Sequence, residues 1–225
     1  MSVIGDKINE VKEDLPDGVQ LVAVSKFHSS EEIMDAYIAG QRSFGENRPQ
    51  EMFAKIKELP DDIKWHFIGH LQKNKIKLVV PYASLIHSVD SENLLMEIEN
   101  YSLVHSIGTV DCLFEVFIAK ETTKQGFEPQ ELLSVIKDRL SKHPLEHVRI
   151  RGLMGMASFV DDSERIKMEF SALKDLFDKI RETYSELFPS FDILSMGMTG
   201  DYKIAVACGS NMVRIGTKIF GPRNY

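Results

Sequence analysis

Eight times along this chain a short apolar run of strand length gives way to a longer amphipathic run of helical period, and nothing else restricts its fold so tightly. The strand runs are Gln20–Val24, Arg42–Phe44, Lys64–Ile68, Leu85–His87, Cys112–Ala119, Val148–Met154, Asp192–Met196 and Met212–Ile215. The helical runs that follow them are Ser30–Ala39, Pro49–Leu59, Gln72–Val80, Ser91–Ser106, Pro129–Lys142, Ser163–Phe188, Asp201–Ala207 and a short segment after Thr217. One extra helix is predicted before the first strand, at Ser2–Lys12. Ser29-Ser30-Glu31-Glu32 and Asp90-Ser91-Glu92 place cap residues and acids at helix starts, and Pro49 and Pro129 suit first helical positions. Regular alternation implies parallel strands, and eight units suffice to close them into a (β/α)8 TIM barrel. The competing arrangement is an open doubly wound sheet, but no Gly-x-Gly-x-x-Gly turn follows the first strand.

At 225 residues and 43% hydrophobic content the chain can bury one substantial core, so residues 1–225 are read as a single domain. A net charge of −7 with dispersed Lys and Arg argues against nucleic acid as a partner. Cys112 and Cys208 both sit in apolar segments, which predicts buried, reduced thiols and neither a disulfide framework nor a metal-ligating pair. Met1 to Asp14 is charged and amphipathic, and no stretch approaches the roughly 18 apolar residues of a membrane span. A cytoplasmic location without membrane attachment is expected.

In a barrel of this type functional residues sit at the carboxyl ends of the strands, with phosphate sites after strands seven and eight. Lys26 follows the first strand, Gly45-Glu46-Asn47-Arg48 the second, and Ser88 and Asp90 the fourth; Ser195 and Gly197 end the seventh, and Arg214, Gly216 and Thr217 the eighth. A lysine at the end of a buried strand loses hydration, which favours the neutral, nucleophilic amine; the plainer reading is a rim lysine with its ammonium in water. Gly216 lets the backbone approach a ligand, and the N–H groups of Gly216-Thr217 with the hydroxyls of Thr217 and Ser195 would suit an anion. Equally, Gly197 and Gly216 would simply turn strand into helix. Arg214, if it points inward, needs an acceptor such as a ring nitrogen or a carboxylate; a rim pair with Asp or Glu is the alternative. Asn47 is either a ligand group or the cap of the helix at Pro49, and His66 is read as a core or supporting histidine. The polar helix start at His70 is read as a solvated face, and Met154 and Met156 as a ring-facing lining or plain packing.

Taken together, Val22-Ala23-Val24-Ser25-Lys26, Phe44-Gly45-Glu46-Asn47, Trp65-His66-Phe67-Ile68-Gly69, His87-Ser88-Val89-Asp90, Arg151-Gly152-Leu153-Met154, Leu194-Ser195-Met196-Gly197-Met198 and Val213-Arg214-Ile215-Gly216-Thr217 resemble the pyridoxal phosphate homeostasis protein family. That family is similar to the N-terminal barrel domain of alanine racemase. The resemblance implies pyridoxal 5′-phosphate carried on Lys26 as an internal aldimine. It implies a phosphate held by Ser195, Met196-Gly197 and Gly216-Thr217, Arg214 at the pyridine nitrogen, and Asn47 near the ring. One stretch departs from the family: where an Asn-x-Ser-Gly-Glu-like segment is usual after strand five, this chain has Phe117 to Gly126.

The resemblance also implies that the protein is no enzyme but buffers or delivers the cofactor. The related racemase tolerates an arginine at the ring nitrogen, yet completes its site with a second domain and a dimer partner. This chain ends at Tyr225, a few residues past the barrel, so an open site is expected, suited to holding and handing over a cofactor rather than to stereochemical control. Enzymes lacking their pyridoxal phosphate are the expected recipients, and no long apolar helical stripe calls for more than a monomer. Two alternatives stay open: an amino-acid racemase or lyase using the same cofactor, and a Schiff-base aldolase without one.

Overall fold

A computed structural model describes residues 2–119 and 125–222 of the chain. Its strands are β1 (Gln20–Val24), β2 (Ser43–Glu46), β3 (Lys64–Phe67), β4 (Leu85–Val89), β5 (Val110–Phe117), β6 (Val148–Met156), β7 (Ile193–Ser195) and β8 (Met212–Ile215). All pair in parallel in chain order and close into a barrel, with Val22 of β1 opposite Arg214 of β8. This is the (β/α)8 architecture that the alternation predicts, and it excludes the open sheet. Around it run α1 (Val3–Glu13), α2 (Ser30–Ile38), α3 (Pro49–Ile56), α4 (Glu92–Val104), α5 (Pro129–Val135), α6 (Ser163–Thr183), α7 (Tyr202–Ala207) and α8 (Thr217–Phe220). Ser29 and Glu32 form a reciprocal capping box on α2, and Ser91 caps α4. No helix among the described residues is long and apolar enough to cross a membrane.

Several expected boundaries move. The run Gln72–Val80 forms only a 3₁₀ helix at Lys73–Leu78, and α5 passes into a π turn at Ile136–Leu140. The long helix expected to Phe188 stops at Thr183, with Tyr184 as its C-terminal cap residue. Arg48, not Asn47, is the cap residue of α3, and it makes no side-chain cap bond. Cys112 is buried as expected, whereas Cys208 is only half-buried.

The core lies between barrel and helices, where Phe44, Trp65, Phe67, Phe114 and Leu153 of the strands meet Ile33, Met52, Leu95, Phe170 and Leu173 of the helices. The barrel interior holds a smaller apolar cluster: Val22, Leu85, Leu113, Met154 and Met212. Because alternate strand residues share a face, the inner positions two residues further along β1, β4, β5 and β8 are Val24, His87, Glu115 and Arg214. His66 lies opposite Leu85 in register. Beside this apolar cluster, then, the barrel holds several buried polar groups, and each of them requires a partner.

Candidate functional site

At the carboxyl ends of the strands a cavity of about 450 Å³ is lined by Lys26, Arg214, Gly216 and Thr217, with Met154 and Met156 on the β6 side. Four of the eight predicted ligand residues, contributed by opposite ends of the sequence, therefore share one wall. They meet because β1 and β8 are neighbours at barrel closure. The 198–201 turn and the 158–160 loop complete the rim. Asn47, Ser195, Met196 and Gly197 lie outside this lining.

The backbone on both sides of Lys26 is gripped by a buried ion cluster. Ser25 Oγ donates to Glu46 Oε1 at 2.6 Å, and Lys55 Nζ donates to that same oxygen at 2.8 Å and to the Ser25 carbonyl at 2.9 Å. Lys55 also donates to Glu51 Oε1 at 2.7 Å, which accepts the Phe27 N–H at 2.6 Å. Phe27 adopts φ +68°, a left-handed conformation costly for an aromatic residue, and the Arg48 guanidinium stacks 4.4 Å above its ring. Burial raises the Glu46 carboxyl to about 7, against the pull of Lys55. The cluster thus sets the direction in which the strand delivers Lys26 to the cavity.

Arg214 is 4% exposed and forms no ion pair among the described residues, so the rim-pair reading does not hold. Its Nη1 donates to Ser195 O at 2.9 Å and Ser195 Oγ at 2.7 Å, and its Nη2 to Gly155 O at 3.1 Å. Burial lowers it to about 10, while the Glu115 and Asp201 carboxylates favour its charge. Ser195 Oγ also lies 3.1 Å from His87 Nδ1, and His87 Nε2 lies 2.9 Å from His66 Nδ1. The hydroxyl expected to reach an anion is instead fully buried and turned into the barrel, where it holds Arg214. Burial keeps both histidines neutral, His66 at about 4 and His87 well below its usual value. Glu115 is pushed up to about 7 by burial and by Asp90, and held back by Arg214.

Gly197 takes φ +97°, and a β-carbon there would come within 2.7 Å of Ala205 Cβ, so it lets α7 pack against the end of β7. A β-carbon at Gly216 would lie 3.1 Å from the Val24 carbonyl. Gly216 precedes α8 with no side-chain cap, and the first N–H groups of a helix have no partner within it. The neighbouring turn is held by Asp201 Oδ1, which accepts the Met198 N–H at 2.5 Å. Asn47 Oδ1 is buried without a partner among the described residues. Half of the atypical stretch Phe117–Gly126, residues 120–124, lies outside the described residues.

Sequence reasoning did not single out Glu51, Lys55, His87 or Glu115 for a role. The available signal for the last two was a polar residue on the inward phase of an apolar strand, in Leu85-Ile86-His87 and Leu113-Phe114-Glu115. No local signal marks Lys55, which is buried on α3.

The family described as alanine racemase, N-terminal domain, matches residues 2–224. The pyridoxal phosphate homeostasis protein of Aquifex aeolicus is 38% identical over 207 residues, covering 92% of this chain and 88% of that protein. Its namesake in Schizosaccharomyces pombe is 36% identical over 208 residues, covering 91% and 84%. The structure of PipY from Synechococcus elongatus with pyridoxal phosphate bound aligns with a TM-score of 0.86 at 33% identity, over 97% of this chain and all of that one. Alanine racemase from E. faecalis aligns at a TM-score of 0.74 with 16% identity, over 98% of this chain and 58% of the racemase, a likeness of fold alone.

Proposed function

Since this chain belongs to the alanine racemase N-terminal domain family, and within it to the pyridoxal phosphate homeostasis proteins, we propose that it binds pyridoxal phosphate in the upper cavity and buffers or delivers it without catalysis of its own. The observation that carries this reading is the convergence of Lys26, Arg214, Gly216 and Thr217 on one cavity, whose volume falls in the range of roughly 300–1,000 Å³ usual for small-molecule sites.

The residues present fit the group. Lys26 supplies the amine, and the cofactor supplies an aldehyde with which a neutral amine condenses. The N–H groups at Gly216-Thr217 and the Thr217 hydroxyl offer donors to a phosphate. Arg214 offers only N–H donors and no acceptor, which suits an unprotonated ring nitrogen. Asn47, whose buried oxygen has no partner among the described residues, is assigned to the ring side. Ser195 is assigned to fixing Arg214, and Met196 and Gly197 to shaping the backbone beneath the phosphate.

The absence of catalysis is supported by the cavity's own chemistry. Among the described lining residues the titratable side chains are Lys26, Asp201 and Arg214, and Asp201 already accepts the Met198 amide. An opposing acid or base of the kind that racemisation requires is therefore not among them. The chain is read as one cofactor-binding unit that acts as a monomer in the cytoplasm and serves enzymes awaiting their cofactor.

The test uses protein loaded with pyridoxal phosphate. It should be yellow, become irreversibly labelled at Lys26 by borohydride, and lose both properties in Lys26→Ala. Protein that stays colourless, or labelling that survives Lys26→Ala, would overturn the assignment of Lys26. Turnover of alanine or serine well above that of free cofactor would instead establish the racemase or lyase reading.

A further inference from the structure

A second cavity, of about 570 Å³, opens at the opposite pole, where the amino ends of the strands meet the loop between α1 and β1. We propose that this lower pole is a binding site for a small dianion bearing phosphate or carboxylate oxygens, received by the Nε2–H of His66 and by Lys12 and Lys64.

The donor on His66 follows from proton bookkeeping along the buried chain. Arg214 can only donate, and its Nη1 gives a hydrogen to Ser195 Oγ. Ser195 is fully buried, and His87 Nδ1 is the acceptor within reach of its hydroxyl proton. Were His87 protonated at Nδ1, that hydroxyl would be left unpaired in the interior, at substantial cost. Ser195 therefore donates to His87 Nδ1, and neutral His87 carries its hydrogen on Nε2. That hydrogen points to His66 Nδ1, which leaves neutral His66 with its hydrogen on Nε2. Four residues thus form one directed chain, from Arg214 on the upper cavity to a single outward donor on the lower one.

His66 is 5% exposed and lines the lower cavity. Its Nε2 has no partner among the described residues, yet it is not among the fully sealed unpaired atoms. It is a buried polar group that borders the cavity with one unused donor. The surrounding charge favours an anion: Lys12, Arg42, Lys64 and Arg151 line the cavity against Asp17 and Asp111. Arg42 is paired with Asp62, and Arg151 with Asp111 and Asp192. Lys12 and Lys64 make no ion pair among the described residues, and burial together with Arg42 lowers the Lys12 amine. A dianion would relieve that crowding and accept the His66 hydrogen.

Inorganic phosphate is the probe, titrated into ¹⁵N-labelled full-length protein while the histidine ring nitrogens and backbone amides are followed by NMR. Both His66 and His87 should carry hydrogen on Nε2. Phosphate should move His66 Nε2 in a saturable way, and Lys12→Ala with Lys64→Ala should weaken that response about tenfold, as expected for two exposed cation–anion contacts, leaving both tautomers intact. Protonation of His66 at Nδ1, a linear response, or a response unchanged in the double variant would overturn the proposal. So would phosphate that moves the Thr217 amide and leaves His66 still.

Discussion

Replacing Lys55 with methionine tests the claim that a buried ion cluster aims Lys26. The Glu46 side chain is fully buried and the Lys55 side chain 8% exposed, so Lys55→Met strands a carboxylate that also loses its principal counter-charge. Removing one partner of a buried pair typically costs about 3–5 kcal/mol, which for a chain of this size lowers the melting temperature by roughly 6–20 °C. Glu46→Gln in the same chain removes the stranded charge while keeping an acceptor for Ser25 Oγ, so the double variant should regain most of the loss. Glu46 already sits above its ordinary value in the fold, at about 7, and losing Lys55 drives it higher. A carboxyl raised in the folded state contributes stability that is complete below its unfolded value, near pH 4.5, and is lost as pH rises through its folded one. The gap between Lys55→Met and the parent should therefore widen from pH 5 to pH 8, and close in the double variant. Urea unfolding at both pH values measures it. A loss under about 1 kcal/mol, or a loss that is independent of pH and unrelieved by Glu46→Gln, would refute the reasoning.

Other perturbations read out neighbouring parts of the structure. At Gly152 a β-carbon would fall 1.7 Å from the Ile193 carbonyl, with φ at +150°, so Gly152→Ala should destabilise by about 4 kcal/mol or more or prevent soluble expression. In Arg214→Met the Glu115 carboxyl loses the charge that holds it down; its titration, followed by ¹³C NMR, should move above about 7, and an unmoved midpoint would separate the two groups. Glu169 accepts both the N–H and the hydroxyl of Ser158 at 2.7 Å, and the adjacent Phe159 is 97% exposed. Glu169→Ala should cost about 1–3 kcal/mol and speed chymotryptic cleavage after Phe159, whereas an unchanged cleavage rate would show that the loop is held elsewhere.

The parts of this protein that were legible in the sequence rest on short-range pattern. β1 and β8 have the limits expected of them from their short apolar runs, and α2 starts where Ser29 and Glu32 can cap it. Lys26, Gly216 and Thr217 were found by position, since a closed barrel gathers strand ends at one pole. The 3₁₀ turn at Lys73–Leu78 and the early stop of α6 were not legible, because helical periodicity does not reveal where packing ends a helix.

Sequence alone determined that strands and helices alternate, that the strands run parallel, and which residues stand at their carboxyl ends, because these depend on neighbours a few positions apart. Tertiary closure alone decided that Ser195 turns inward to Arg214, that Lys55 on α3 neutralises Glu46 behind Lys26, and that His66 and His87 connect two poles of the barrel. Those partners lie between 9 and 108 positions apart. A buried polar group must satisfy its hydrogen bonds with whatever the fold brings near, and which groups those are is settled only once the strands and helices have packed.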